Sequence, residues 1–480
     1  MGKSNVVELL RIQHNNRAIF AYFLQKCKKN ANFSKKIRLF QFYFVILQQI
    51  FECVMIQEIK IKNFLSFKDE VKFSFEASSN DTFAEESQVV KINENTRLLR
   101  FAIIYGYNAS GKSNLLRVFD FLKEFWITKH NDIDKKTGSV PFKLDQVSQN
   151  EHSAFELIFY VEGTKYLYQL ELDSSTVYME KLSYYKTVKP VSLFERRYEN
   201  NQSIIDYPNI KLDSEVKKEI LVKCLKNMSF FAARNQVNTS IPLIDKAKDW
   251  LKYQIMQTIT PSIELMRYAQ KNSANDKDII RYILKFLHEA DFNITNIETN
   301  VIKEPIPEEI LGAILNMEDL PTNEKERIRA EKSVRHFQTD FEHTVENERG
   351  KETYILNGDN EESRGTLRTF GLETALYNVI RRKAFLPIDE IETSIHPKLL
   401  EKILFEYLRV NSTSQLIVTT HNDGLLDLID DLIRKDSVWF TEKQSSGVTD
   451  LYKLTDFRGV NRLTSIREAY RNKRFGATMK

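Results

Sequence analysis

Cysteine is scarce: Cys27, Cys53 and Cys224 are the three in 480 residues. No two have the spacing of a metal-ligand pair or a redox pair, so each reads as an isolated small apolar residue in a reducing, cytoplasmic setting. Long hydrophobic runs are lacking too. The most apolar stretch, Leu39–Phe51, carries three glutamines and falls short of the roughly 20 residues that cross a bilayer. It lies far from the N-terminus and no small-residue cleavage site follows it, which excludes an ordinary signal peptide. Sustained heptads are absent, which excludes a long coiled-coil arm. There is no internal repeat.

Charge of one sign is also lacking over most of the chain. The net of +4 comes from residues 1–54, where nine Lys/Arg meet two Glu; residues 55–480 sum to −3. A near-neutral body does not by itself mark a nucleic-acid binder. One local excess remains between Leu451 and Lys480, where eight basic residues face Asp456 and Glu468. It reads either as a solvated face or as a phosphate-contacting tail.

What is present is a full G-x-x-x-x-G-K-[ST] stretch, Gly106-Tyr-Asn-Ala-Ser-Gly-Lys-Ser113. The apolar run Phe101–Tyr105 before it predicts a buried strand. Leu115, Phe119, Leu122 and Phe125 after it recur at helical spacing. Strand, glycine turn and helix are the context this motif requires. Glycines let successive N–H groups turn toward phosphate, and a helix N-terminus favours an anion. The nucleotide-binding set is Gly106, Asn108, Ala109, Ser110, Gly111, Lys112, Ser113 and Asn114. Lys112 is expected on the β/γ-phosphates of ATP and Ser113 on Mg²⁺.

A second constellation lies far downstream. Ala384-Phe-Leu-Pro-Ile-Asp-Glu390 is an apolar run ending in two carboxylates. Asp389 can hold Mg²⁺ through water, and Glu390 can activate the attacking water. Pro387 must sit where a strand has no use for its missing N–H. Ser394-Ile-His-Pro397 leads into a helix in which Leu400, Leu404 and Leu408 share a face. Gln415–Thr420 reads as another buried strand, ending at His421, which can donate to a γ-phosphate oxygen.

Four regions follow. Residues 1–54 are basic and aromatic without sustained period; they read as upstream translated sequence, with Met55 the start, or as a helical arm packed on the body. Residues 55–135 hold two strands and the P-loop. Residues 136–359 read as an inserted antiparallel β lobe, with a hairpin turning at Glu162-Gly163, and then a helical lobe over Asp213–Asn227, Ile244–Ile259 and Lys277–Ala290. Residues 360–480 carry the second half of the site. The fold class is α/β: a P-loop NTPase sheet interrupted by the two lobes.

Together these pieces resemble the ABC-type ATPase heads of the SMC and DNA-repair class. They are most similar to bacterial AAA-family ATPases of abortive-infection and anti-phage operons, relatives of the OLD proteins and the PARIS-system ATPase. The resemblance rests on Ile59-Lys-Ile-Lys-Asn-Phe-Leu-Ser-Phe67, the P-loop, Asp389-Glu-Ile-Glu-Thr-Ser-Ile-His-Pro397, Thr419-Thr-His-Asn422 and Tyr470-Arg-Asn-Lys-Arg-Phe-Gly476. It implies an ATPase using ATP and Mg²⁺, with Lys112, Glu390 and His421 catalytic and a homo-oligomer formed through the heads. It also implies a signature segment reaching nucleotide across that dimer. Glu362-Ser-Arg-Gly-Thr366 is the candidate, through Ser363, Gly365 and Thr366, although it departs from L-S-G-G-Q. A lid glutamine is implied, and Gln146 and Gln149 both remain open. Only 59 residues follow His421 in this sequence, too few for the Toprim nuclease of OLD proteins, so an effector nuclease or toxin in trans is expected. The alternative is a DNA repair or maintenance ATPase acting on nucleic acid directly; a transporter subunit, and with it a membrane partner, is disfavoured.

Overall fold

Alternating apolar positions from Met55 onward make Val54–Lys62 (β1) a strand, and Val71–Ser74 (β2) returns antiparallel with Phe73 opposite Ile59. The structure, a computed structural model, describes residues 54–480 except for 80–82, 275, 291, 318–319, 321, 349 and 479–480. The reading of residues 1–53 lies outside these. One helical turn, Glu85–Gln88 (α1), precedes a short antiparallel pair, Val89–Lys91 (β3) and Arg97–Leu99 (β4). Phe101–Tyr105 (β5), buried throughout, then enters Lys112–Ile127 (α2).

Ser153–Val161 (β6) and Thr164–Leu172 (β7) form the hairpin at Glu162-Gly163, whose φ angles of 48° and 76° suit the twist of the flanking strands. Val177–Tyr185 (β8), Pro190–Glu199 (β9) and Gln202–Asp206 (β10) extend it. Because β6 also pairs with β1, seven strands make one sheet in the order β10-β9-β8-β7-β6-β1-β2. The boundary drawn at residue 136 therefore falls inside a shared sheet: the antiparallel strands continue what β1 and β2 begin.

Helices follow at Ser214–Lys223 (α3), Phe230–Arg234 (α4), Pro242–Tyr253 (α5), Leu265–Ser273 (α6) and Lys277–Glu289 (α7). Asp213 and Asp276 cap α3 and α7 by accepting a backbone N–H two residues on, which satisfies donors that helix starts leave orphaned. Reading the rest of 136–359 as helical misses a sheet. Ile294–Pro305 (β11), Ser333–Asn347 (β12) and Gly350–Asn357 (β13) pair antiparallel, with Glu308–Leu315 (α8) and Thr322–Glu331 (α9) between the first two. These strands face solvent along much of their length, so they lack the apolar alternation that announces a strand.

Arg364–Arg382 (α10), Phe385–Ile388 (β14), Pro397–Arg409 (α11) and Gln415–Thr420 (β15) come next, then Val438–Lys443 (β16), Thr449–Lys453 (β17) and Ile466–Arg471 (α12). A further, five-stranded sheet runs β14-β15-β5-β16-β17, parallel except for β17. Its middle strand alternates between two cores. Ala102 and Ile104 pack with α2 and the antiparallel sheet; Phe101, Ile103 and Tyr105 pack with α6, α7, α10 and α11. This is the expected α/β P-loop fold. Pro387 lies on β14, where β15 pairs one edge and residues 254–259 cover the other. Its carbonyl accepts from Ile259 N–H at 3.0 Å, so the missing donor faces that irregular segment and not a ladder. The helix expected to reach Ile259 accordingly stops at Tyr253. No helix among the described residues is long and apolar enough to cross a membrane.

Candidate nucleotide site at the strand ends

Parallel pairing brings the C-terminal ends of β5, β14 and β15 to one crevice, where open α/β sheets bind ligands. The glycine turn after β5 is sterically specified. A Cβ on Gly106 would stand 2.7 Å from the Thr441 carbonyl oxygen. Gly111 has φ +112° and abuts Thr449, so a side chain there meets both strain and a clash. Ala109 also takes positive φ, 64°. Ser110 is held on both sides: its hydroxyl lies 2.7 Å from that of Thr441, and its carbonyl accepts from Thr449 Oγ1 at 2.9 Å. Asn108 and Ala109 are exposed at the tip, and Ser113 is half-buried in the first turn of α2.

Lys112 is buried and folds back on the turn, donating to Gly106 O at 2.7 Å and Tyr107 O at 3.3 Å. Burial pulls its pKa down to about 8, against the opposing pull of Asp389, Glu390 and Glu392. A buried ammonium held largely by neutral carbonyls is poised for an anionic partner.

The carboxylates are set by β15. Thr419 Oγ1 donates to Asp389 Oδ1 at 2.6 Å and accepts from Glu390 N–H at 2.8 Å. That bond holds Glu390 at φ +47° with its side chain open to solvent. His421 stands between the two halves: Nδ1 is 3.5 Å from Lys112 Nζ and Nε2 is 3.7 Å from Glu390 Oε1. Among the described residues no three His, Cys, Asp or Glu side chains gather as a metal cluster. Magnesium does not require one, since it takes one or two protein oxygens and completes its shell with phosphate and water. Asp389 and the Ser113 hydroxyl are the hard oxygen donors that fit it.

Sequence reasoning gave no role to Glu392. Its carboxylate accepts from His421 N–H at 2.6 Å and from Thr420 Oγ1 at 2.8 Å, fixing the backbone that presents His421. Its place two residues beyond Glu390, on the turn after β14, was the available signal. Asn63 was quoted only as part of a motif. It is buried at φ +51°; its amide donates to Ser148 O and Glu151 O, and its Oδ1 accepts from Phe142 N–H. It thereby holds residues 140–151 beside the P-loop, where Ser66 bonds Asn114 and Thr449. Asn63→Ala should cost about 2–4 kcal/mol by stranding three backbone groups and leaving alanine in a left-handed conformation. Urea unfolding of both proteins measures it.

The remaining candidates make no hydrogen bond to Lys112. Ser363 caps α10, with its Oγ accepting from Thr366 N–H at 3.1 Å and pairing with Thr366 Oγ1 at 2.8 Å. Gly365 faces Ser394, whose carbonyl oxygen would lie 3.3 Å from an added Cβ. The segment therefore packs on the turn that follows Glu390. Gln149 donates to Lys143 O, and Gln146 is exposed nearby; neither bonds the P-loop. A cleft of about 270 Å³ opens beside α2, lined in part by Ser66, Asn114, Arg117, Phe142, Lys143 and Lys443.

Among solved structures, an SMC head domain from Thermotoga maritima is similar at 13% identity and TM-score 0.39, covering 83% of this chain and 98% of that one. An SMC head bound to the C-winged helix domain of ScpA is similar at 11% identity and TM-score 0.40, covering 87% and 99%. No curated protein matches the chain. The family described as "AAA domain, putative AbiEii toxin, Type IV TA system" matches residues 101–223 and 251–427. These segments contain the P-loop, Asp389, Glu390, Glu392 and His421 and make up 300 of the 480 residues; the chain belongs to this AAA-domain family of P-loop ATPases.

Proposed function

We propose that the protein binds ATP in the turn Gly106–Ser113 and hydrolyses it, and that two copies close on the nucleotide. The observation that carries the reading is the place of His421, 3.5 Å from Lys112 Nζ on one side and 3.7 Å from Glu390 Oε1 on the other. Lys112 neutralises β/γ-phosphate charge. Glu390 takes the proton of the attacking water, and His421 donates to a γ-phosphate oxygen. Asp389 and Ser113 hold Mg²⁺, which supplies charge neutralisation on the phosphates. Ser363, Gly365 and Thr366 of one copy face the phosphate bound by the other. ATP binding closes the pair and hydrolysis releases it. The family's description, with its toxin and type IV toxin–antitoxin terms, supports placing this cycle in an abortive-infection system. There it senses infection and restrains or releases an effector protein in trans.

Light scattering on Glu390→Gln, with and without Mg·ATP, tests the dimer. A mass that doubles with ATP supports it; a monomer in both conditions removes the trans role of Ser363 and Gly365.

A further inference from the structure

The basic excess at the C-terminal end is not used by the nucleotide site. Its members divide sharply. Lys453 donates to Glu76 O. Arg467 pairs with Asp423 and Asp427, and Arg471 with Asp423. Arg458, Arg462, Lys473 and Arg474 are exposed and pair with no carboxylate among the described residues. The fold gathers them. Arg458 and Arg462 flank a turn at Gly459, φ +77°, closed by Arg462 N–H to Gly459 O at 3.1 Å. Arg474 Nη2 reaches Arg458 O at 3.4 Å, which joins the two turns.

The mounting is rigid. Arg474 N–H donates to Ala469 O at 3.0 Å and Gly476 N–H to Lys473 O at 3.1 Å. Phe475, next in the chain, is fully buried and stacks on Phe440 at 5.5 Å, and its carbonyl accepts from Tyr452 Oη at 2.8 Å. The backbone that carries these cations therefore needs little ordering when they meet a partner.

We infer that Arg458, Arg462, Lys473 and Arg474 form a docking surface for the phosphate backbone of a nucleic acid. Three of the four are arginines, whose planar forks match phosphate oxygens. Among the described residues from 451 onward no large hydrophobic side chain is exposed, so these residues offer no apolar group to insert into a bilayer and no apolar centre for a protein partner. A run of cations without an apolar core is the footprint of a polyanion.

The test is fluorescence anisotropy of a labelled single-stranded DNA of mixed sequence, titrated with the full chain at several salt concentrations. Two double variants are compared with it, Lys473→Gln/Arg474→Gln and Arg458→Gln/Arg462→Gln. Residues 1–53 are themselves basic, so the difference between variant and parent carries the result. Each variant should bind more weakly and show a log K against log salt slope shallower by about 1.4, two phosphate contacts at about 0.7 each. Over a roughly fourfold rise in salt the parent then loses about sevenfold more affinity than either variant. Slopes and affinities equal to the parent's would overturn the inference. So would variants that lose binding to phosphatidylserine vesicles but not to DNA.

Discussion

Glu390→Gln should keep ATP affinity within a fewfold of the parent and lose turnover by about 10²–10⁴, the range a positioned general base contributes. The amide is isosteric and cannot take a proton. The substitution leaves the scaffold intact, because Glu390 is held by its backbone N–H on Thr419 Oγ1 and not by its carboxylate. The side chain is open to solvent, so an amide is accommodated without a buried unpaired group. Removing one of the three carboxylates that oppose the lowering of the Lys112 pKa lets it fall further in the free protein, and the phosphates hold the cation once ATP is bound. Equilibrium binding of a fluorescent ATP analogue and steady-state phosphate release separate the two quantities. Normal phosphate release by the variant would take the base role away from Glu390, and His421 would then be the next group to remove.

The second large effect is expected at Glu392, which touches no phosphate in the proposed arrangement. Glu392→Ala removes both acceptors at the end of β15, the one for His421 N–H and the one for Thr420 Oγ1. Hydrogen bonds to a carboxylate are the strong kind, and losing them frees the backbone that carries His421. Turnover should fall about 10–100-fold, since small misplacements in such sites cost rates of this order. The KM for ATP should move less than about threefold, because Lys112 and the glycine turn are untouched. Glu392→Gln separates geometry from charge. Its amide oxygen can still accept from His421 N–H, while its NH2 cannot accept from Thr420 Oγ1, so stability should recover most but not all of the loss. Turnover recovering with it assigns Glu392 to positioning. Turnover that stays low while stability recovers assigns its effect to the negative charge beside Lys112. An equal loss in kcat and in ATP binding for Glu392→Ala would contradict both assignments.

Much of the site was legible because its pieces are local. Gly106–Ser113 is specified by spacing: two glycines where side chains cannot fit, a lysine and a serine opening a helix. Asp389 and Glu390 announce themselves at the end of a short apolar run, and His421 at the end of another. Glu392 was not legible as part of the candidate site, since it joins it through two hydrogen bonds made to the end of another strand. The second antiparallel sheet was illegible for a different reason. β11, β12 and β13 face water along much of their length, so burial imposes no alternation on their sequence. Ile244–Ile259 misled because helical periodicity continues past Tyr253, where the chain instead covers the edge of β14.

The sequence by itself determined which elements carry the candidate site residues: the strand β5, the turn after it, the helix α2, and the carboxylates and histidine at two later strand ends. Each depends on residues within a few positions of one another. Only the tertiary structure decided that β5 lies between β15 and β16, which brings Lys112 to His421 and Glu390. It alone decided that β1 and β6 share a sheet, and that Gly365, in the first turn of α10, packs beside Ser394. The physical reason is the same in each case. Strand pairing and core packing join segments far apart in the chain, and their register follows from which faces can be buried together.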